Sequence, residues 1–170
     1  MRCLFSGMII GLFAMNASAQ GLDLRQGTRA FGGSASVTLN TTTDVHALRI
    51  APAFGYFVAD NVEFTLTFQY SNNLGEESGS LIGGGIGLLG YLDAGAVYLK
   101  SGVVFAGYGS FFNGQSETLL ELVVPFLLVV PLSSSLAVNT GLMVQVFFSP
   151  DGGEPMVQLP MGFLGVSGYY

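Results

Sequence analysis

From Val62 to Tyr70 every second residue is apolar: Val62, Phe64, Leu66, Phe68 and Tyr70 alternate with Glu63, Thr65, Thr67 and Gln69. A period of two places the first set on one face of a β-strand and the second on the other. The preceding segment repeats the pattern, with Leu48, Ile50, Pro52, Phe54 and Tyr56 on an apolar face and Arg49, Ala51, Ala53 and Gly55 on a small or charged one. Between them Ala59-Asp60-Asn61 is a tight-turn sequence, because Asp and Asn tolerate the backbone angles such turns need. Two adjacent strands with matched greasy faces need an apolar medium or core to cover them.

The medium is indicated by how little charge the chain carries. Charged residues are 9% and hydrophobic residues 50% of the 170, against roughly 25% charged in an ordinary soluble domain. Disorder is excluded by the same figures, since disordered chains are poor in apolar and aromatic residues. Helical membrane spans also fail. The most apolar internal stretch, Leu119 to Leu132, is shorter than the roughly 20 residues a spanning helix requires and is interrupted by Glu121, Pro125 and Pro131.

Carried along the chain, the alternation predicts strands at 28–40, 45–57, 62–71, 80–92, 96–108, 118–130, 136–148 and 156–170. Each is long enough for the roughly 9 to 11 residues with which a tilted strand crosses a bilayer. Short turns at Asp60-Asn61, 93–95 and 133–135 alternate with longer or more polar connections at 41–44, 71–79, 109–117 and 149–155. This is the layout of an all-β, eight-stranded antiparallel up-and-down transmembrane β-barrel. The charges inside strand cores, Arg49, Glu63, Lys100 and Glu121, all fall on the lumenal face by alternation. A lumenal ion-pair network is therefore expected, Arg49 with Glu121 in the outer half and Glu63 with Lys100 nearer the short-turn rim. Gln69, Asn139 and Gln145 close it, so that side chains fill the lumen of a barrel this narrow.

Glycine in strand four (Gly83, Gly84, Gly85, Gly87, Gly90) and strand five (Gly102, Gly107) fits tight curvature and close interior packing. A flexible linker at 83–90 fits less well, because Ile82, Ile86 and Leu88 keep the alternation. Aromatics gather near strand ends, including Tyr56, Phe57, Tyr70, Tyr91, Tyr98, Phe111, Phe148, Tyr169 and Tyr170, as interfacial girdles do, with about a third assigned to loop or lumen packing.

Residues 1–19 read as a secretory signal peptide: Arg2, the apolar run Leu4 to Met15, and Ala17-Ser18-Ala19 before Gln20. Residues 20–170 are then the barrel domain. Cys3 lies before the apolar run and so does not mark a lipoprotein, and the remainder holds no Cys for a disulfide or thiolate metal site. From Gln20 on, Arg25, Arg29, Arg49 and Lys100 stand against eleven Asp and Glu, which excludes nucleic acid as a partner.

The leader, the stretch Gly55 to Phe64 (GYFVADNVEF) at a strand-turn-strand corner, and the aromatic C-terminus after Leu164-Gly165-Val166-Ser167 resemble the small eight-stranded outer-membrane β-barrel family of Gram-negative bacteria, the OmpA/OmpX and opacity-protein type. The resemblance covers nearly all of the chain after the leader. It implies residence among outer-membrane lipid and lipopolysaccharide, with periplasmic chaperones and the barrel-assembly machinery as partners during biogenesis. The assembly signal it implies is carried by Gly165 and Tyr170, with Gly168 where the family has a second aromatic and Phe163 where it has a polar residue.

Three functions are compatible with such a barrel. A non-enzymatic structural or surface-interaction role is the main expectation, and no cofactor is expected. A small channel for hydrophobic or small polar solutes is the alternative. A lipid A-modifying enzyme would need the lone His46 in a triad with Asp44 and Ser71 or Ser149, a spacing that specifies no such geometry. Asp44, Glu76, Glu77, Asp151 and Glu154 lack the spacing of a calcium loop and read as a solvated acidic rim. A soluble barrel of lipocalin type is the competing fold.

Overall fold

The computed structural model describes residues 21–39, 46–74, 79–112, 115–148, 150, 152, 154–159 and 161–170. The leader, Asp44, Glu76, Glu77, Asp151 and Ser149 lie outside the described residues. The strands are β1 (Arg29–Leu39), β2 (His46–Ala59), β3 (Val62–Leu74), β4 (Gly79–Asp93), β5 (Tyr98–Phe112), β6 (Gln115–Ser133), β7 (Leu136–Phe148), β8 (Met156–Gln158) and β9 (Met161–Tyr169). Each pairs antiparallel with its sequence neighbour from β1 to β7, and β9 pairs with both β7 and β1, which closes the sheet. The short β8 continues β9 along β7: Gln145 faces Gln158 and Leu142 faces Met161 in one register. The chain is thus a closed eight-stranded barrel whose last strand is described in two pieces, β8 and β9.

Closure matters because an unpaired sheet edge has no water to satisfy it in a bilayer. Two internal prolines show the cost locally. Pro52 faces Gly33 on β1, but the β2–β3 pairing skips from Ile50↔Tyr70 to Ala53↔Thr67. Likewise β5–β6 skips from Ser101↔Phe126 to Val104↔Val123, the gap falling on Pro125.

Turns are short at one rim. Ala59↔Val62 leaves Asp60-Asn61 as a two-residue loop, with Asn61 at φ 61°, and Ser133↔Leu136 leaves two residues likewise. At the β4–β5 turn Gly95 adopts φ 89° and its amide donates to Asp93 Oδ1 at 2.7 Å. Two of the opposite connections, β3–β4 and β5–β6, are shorter than the sequence reading expected. β3 runs on to Leu74, and β5 and β6 run to Phe112 and from Gln115. Polar composition does not end a strand whose backbone groups still have a ladder partner.

Alternation is realised on both faces. Phe31, Phe54, Leu66, Ile86, Leu88 and Val103 are exposed on the outside, whereas Glu63, Thr65, Val104, Glu121 and Asn139 are buried inside. In the inner glycine row of β4, a Cβ on Gly85 would lie 2.6 Å from Phe105 O and 2.7 Å from Ala106 Cβ, and one on Gly87 2.5 Å from Val103 O. These glycines leave room for β5 side chains to lean inward over β4.

Candidate functional site in the barrel lumen

The base of the lumen, at the short-turn rim, is solidly packed. Phe57, Tyr91, Tyr98, Val129, Ala137 and Tyr169 form one buried cluster, with the Phe57 ring 5.4 Å from that of Tyr91 and 6.3 Å from that of Tyr169. Residues 21–28 lie across this base, with Leu22 and Leu24 joining the cluster. Asn61 N donates to Leu24 O at 2.8 Å, Gly27 N to Phe57 O at 2.9 Å and Gln26 N to Asp60 Oδ1 at 2.8 Å. Asp23 and Arg25 flank the segment as an exposed pair at 2.8 Å, and the guanidinium holds the Asp23 carboxyl down to about 2.

Four aromatics expected in interfacial girdles are therefore lumenal. Phe57, Tyr91, Tyr98 and Tyr169 share the strand parity of Gly55, Leu89, Lys100 and Ser167, all inward-facing, so parity identifies them where proximity to a strand end does not. Tyr56, Phe111, Phe148 and Tyr170 do face outward.

Directly above this layer Lys100 Nζ lies 2.9 Å from Glu63 Oε2. The same carboxylate accepts from Tyr91 OH, and the ammonium stands 4.9 Å from the centroid of the Tyr91 ring. Glu63 on β3 and Lys100 on β5 flank β4, which carries Tyr91, so one strand spacing brings all three together. Asn139 Nδ2 donates to Ser167 Oγ at 2.7 Å at the same end of β7.

Arg49 and Glu121 do not form the second ion pair. Arg49 Nη2 instead donates to Gln69 Oε1 at 2.5 Å, and the ion pairs among the described residues are Arg25–Asp23 and Lys100–Glu63. The reason is azimuth. In the closed order β2 and β6 lie four strands apart, on opposite walls, so similar height along the axis does not bring their side chains into contact. Glu121 is 1% exposed, and Tyr108 and Gln145 stand beside its carboxyl as hydrogen-bond partners.

Nor is the lumen filled along its whole length. Above the base lies a cavity of about 370 Å³. Its walls are small on one side (Ser34, Ala51, Ala53, Thr65) and apolar on the other (Val104, Val123, Leu127, Met143), with Arg49, Gln69, Glu121 and Gln145 on its lining. The large side chains of the sequence reach inward from the base and from β5 to β7, and the Ala and Gly positions of β1 to β4 leave the remainder hollow.

The remaining candidates are spread out. His46 pairs through its backbone with Leu39 and Leu74 at the end of β2, and Ser71 faces Arg49. Among the described residues no group of three His, Cys, Asp or Glu could hold a metal. Gly165 packs so closely that an added Cβ would lie 2.8 Å from Gly33 O, and Tyr170 exchanges 2.8 Å backbone hydrogen bonds with Arg29 at the closure seam.

A closed antiparallel barrel with an apolar exterior, a packed base and interior charges is the architecture of small outer-membrane barrels. No protein family and no curated protein matches the chain by sequence. Among solved structures it is similar to the N-terminal β-barrel domain of Pseudomonas aeruginosa OprF, at 14% identity and TM-score 0.53, over 85% of this chain and 98% of that one. It is also similar to Neisserial surface protein A, at 12% identity and TM-score 0.52, over 84% of this chain and 94% of that one. The shared feature is the fold.

Proposed function

We propose that the protein is an integral outer-membrane β-barrel of a Gram-negative bacterium with a non-enzymatic, structural or surface-interaction role. Residues 1–19 serve as its cleaved export signal. Lipopolysaccharide and outer-membrane lipid surround it, and Gly165 and Tyr170 contribute to the signal read by the assembly machinery.

The observation that supports this reading is the packed base: Phe57, Tyr91, Tyr98 and Tyr169 form one buried cluster with Leu22 and Leu24 below it and the Glu63–Lys100 pair above it. Two observations support membrane residence: the exposed apolar belt, and the likeness in fold to the OprF barrel domain and Neisserial surface protein A.

Reconstitution into planar bilayers tests it. The expected result is a barrel that shifts in gel mobility on boiling and passes no steady single-channel current. Steady currents from the unaltered chain would replace this reading with that of a small channel.

A further inference from the structure

The cavity of about 370 Å³ is not confined to the lumen. Ala35 and Leu164 line it, yet both are exposed and both have outward parity, Ala35 with Phe31 and Leu164 with Val166. The reason is a seam in the wall. Ladder pairing between β1 and β9 ends at Gly33↔Val166, although β1 runs on to Leu39 against β2 and β9 starts at Met161 against β7. Phe68, also exposed, reaches the cavity where the β2–β3 ladder skips Pro52. Above Gly33 the chamber therefore opens sideways, onto the medium that the apolar exterior faces.

One buried polar group lies beside that seam. Asn139 is 5% exposed; its Nδ2 donates to Ser167 Oγ at 2.7 Å, and its Oδ1 has no partner. On β9 Asn139 faces Gly165, the first residue past the last β1–β9 pair. A single strand, with no side chain at that position, thus separates the free oxygen from the opening, and the Phe163 ring lies against the bare glycine. On β6 Asn139 faces Val129 of the packed base, which puts it at the floor of the chamber.

A buried acceptor left unmet is costly, so a donor is expected to come to it. Apart from Ser167, the inward positions next to Asn139 on β6, β7 and β9 are Val129, Ala137, Gly141 and Gly165. A water there would find few of the roughly two to four polar partners that hold a buried water. The charges on the lining already have partners: Lys100 has Glu63, Arg49 has Gln69, and Glu121 has Tyr108 and Gln145. The site therefore asks for a neutral donor with an apolar remainder.

From these placements we infer that the chamber is a side-fed binding site for a neutral lipophilic alcohol dissolved in the bilayer. The hydroxyl donates to Asn139 Oδ1, and the chain lies along Leu127, Val123 and Met143. Moving the chain from lipid to an apolar wall gains little, so selectivity rests on the hydrogen bond. The site rests on the reading of the chain as a membrane barrel, and its test is separate from conductance.

The experiment uses the barrel refolded into phosphatidylcholine nanodiscs with 13C-methyl-labelled methionine, because Met143 lines the chamber and Met156 is exposed outside it. Octanol, octyl methyl ether and octane are titrated in turn. Octanol is expected to shift the Met143 signal saturably while Met156 follows only the bilayer content. The ether and octane, which donate nothing, are expected to bind about tenfold more weakly. Asn139→Leu is expected to remove the preference for octanol, and if that variant does not fold the ether comparison on the unaltered chain decides alone. An unsaturable Met143 signal, equal binding of octanol and the ether, or a folded Asn139→Leu barrel that keeps the preference would each overturn the site.

The route is tested with Val104→Cys, since the chain after the leader holds no Cys and Val104 lines the chamber. In the same nanodiscs N-octylmaleimide is expected to label it faster than a sulfonated maleimide of equal reach. Equal labelling, or none by either reagent, would overturn entry from the bilayer. Steady currents in planar bilayers with the octanol preference intact would reject the non-conducting reading and leave the site standing; a silent barrel without the preference would do the reverse.

Discussion

Lys100 and Glu63 meet inside the barrel with Nζ 2.9 Å from Oε2 and side chains 11% and 3% exposed. Removing one partner of a buried pair strands the other charge, which costs about 3–5 kcal/mol, whereas replacing both by neutral groups is often harmless. Lys100→Met is therefore expected to lower the urea unfolding free energy by about 3 kcal/mol, at the low end because Tyr91 still donates to Glu63. The double variant Glu63→Gln with Lys100→Met is expected to recover most of that loss. A double variant as unstable as the single one would show that the pair does not act as a unit.

The glycines of β4 divide by what a side chain would meet. At Gly87 a Cβ would lie 2.5 Å from Val103 O and 2.7 Å from Val104 Cγ2, whereas at Gly90 the nearest atom is Ser101 O at 3.9 Å. Gly87→Ala is expected to cost about 1–3 kcal/mol by forcing β4 away from β5. Gly90→Ala is expected to be neutral or to stabilise by up to about 1 kcal/mol, because the unfolded chain loses freedom. Equilibrium unfolding of both in the same lipid gives the comparison, and equal effects would contradict the packing described.

How much of this was legible before the structure is best judged strand by strand. Alternation located β1 to β7 to within a few residues because a two-residue period is set by the backbone alone. It also placed Arg49, Glu63, Lys100 and Glu121 on the inner face. Which of them touch was not legible for Arg49 and Glu121, because sequence gives height along a strand but not the neighbour across a closed barrel. Strand-end position does not say which aromatics make up the third that packs in the lumen, and parity does so for Phe57 and Tyr169. The strap at residues 21–28 has no period, and two leucines in eight residues carry no signal until the base they cover exists. The cavity was not legible because a void is the difference between two walls.

An apolar exterior makes a directional prediction for Leu66, which is 44% exposed on the outer face of β3 between Thr65 and Thr67. In a bilayer Leu66→Arg is expected to cost about 2–4 kcal/mol. On a soluble barrel the same change would be neutral or would raise solubility. Folding yield in phosphatidylcholine vesicles, read by heat-modifiable gel mobility, separates the two. A Leu66→Arg chain that folds into vesicles as well as the parent would place this face in water.

The strap offers the last test, because it is held to the base by both leucines and backbone bonds. Leu22→Ser with Leu24→Ser removes two buried side chains, each worth about 1.5–3 kcal/mol when fully buried. The strap is expected to detach while the closed sheet persists, since no strand of the barrel includes these residues. The amide of Asn61, which donates to Leu24 O at 2.8 Å, should then exchange with deuterium faster than the neighbouring ladder amides of β3. Detachment alone is not expected to open a current, because Phe57, Tyr91 and Tyr169 still pack against one another above it. Unchanged Asn61 exchange in the double variant would mean that the leucines do not hold the strap. A steady current would mean that the strap, and not the aromatic layer, is what closes the lumen.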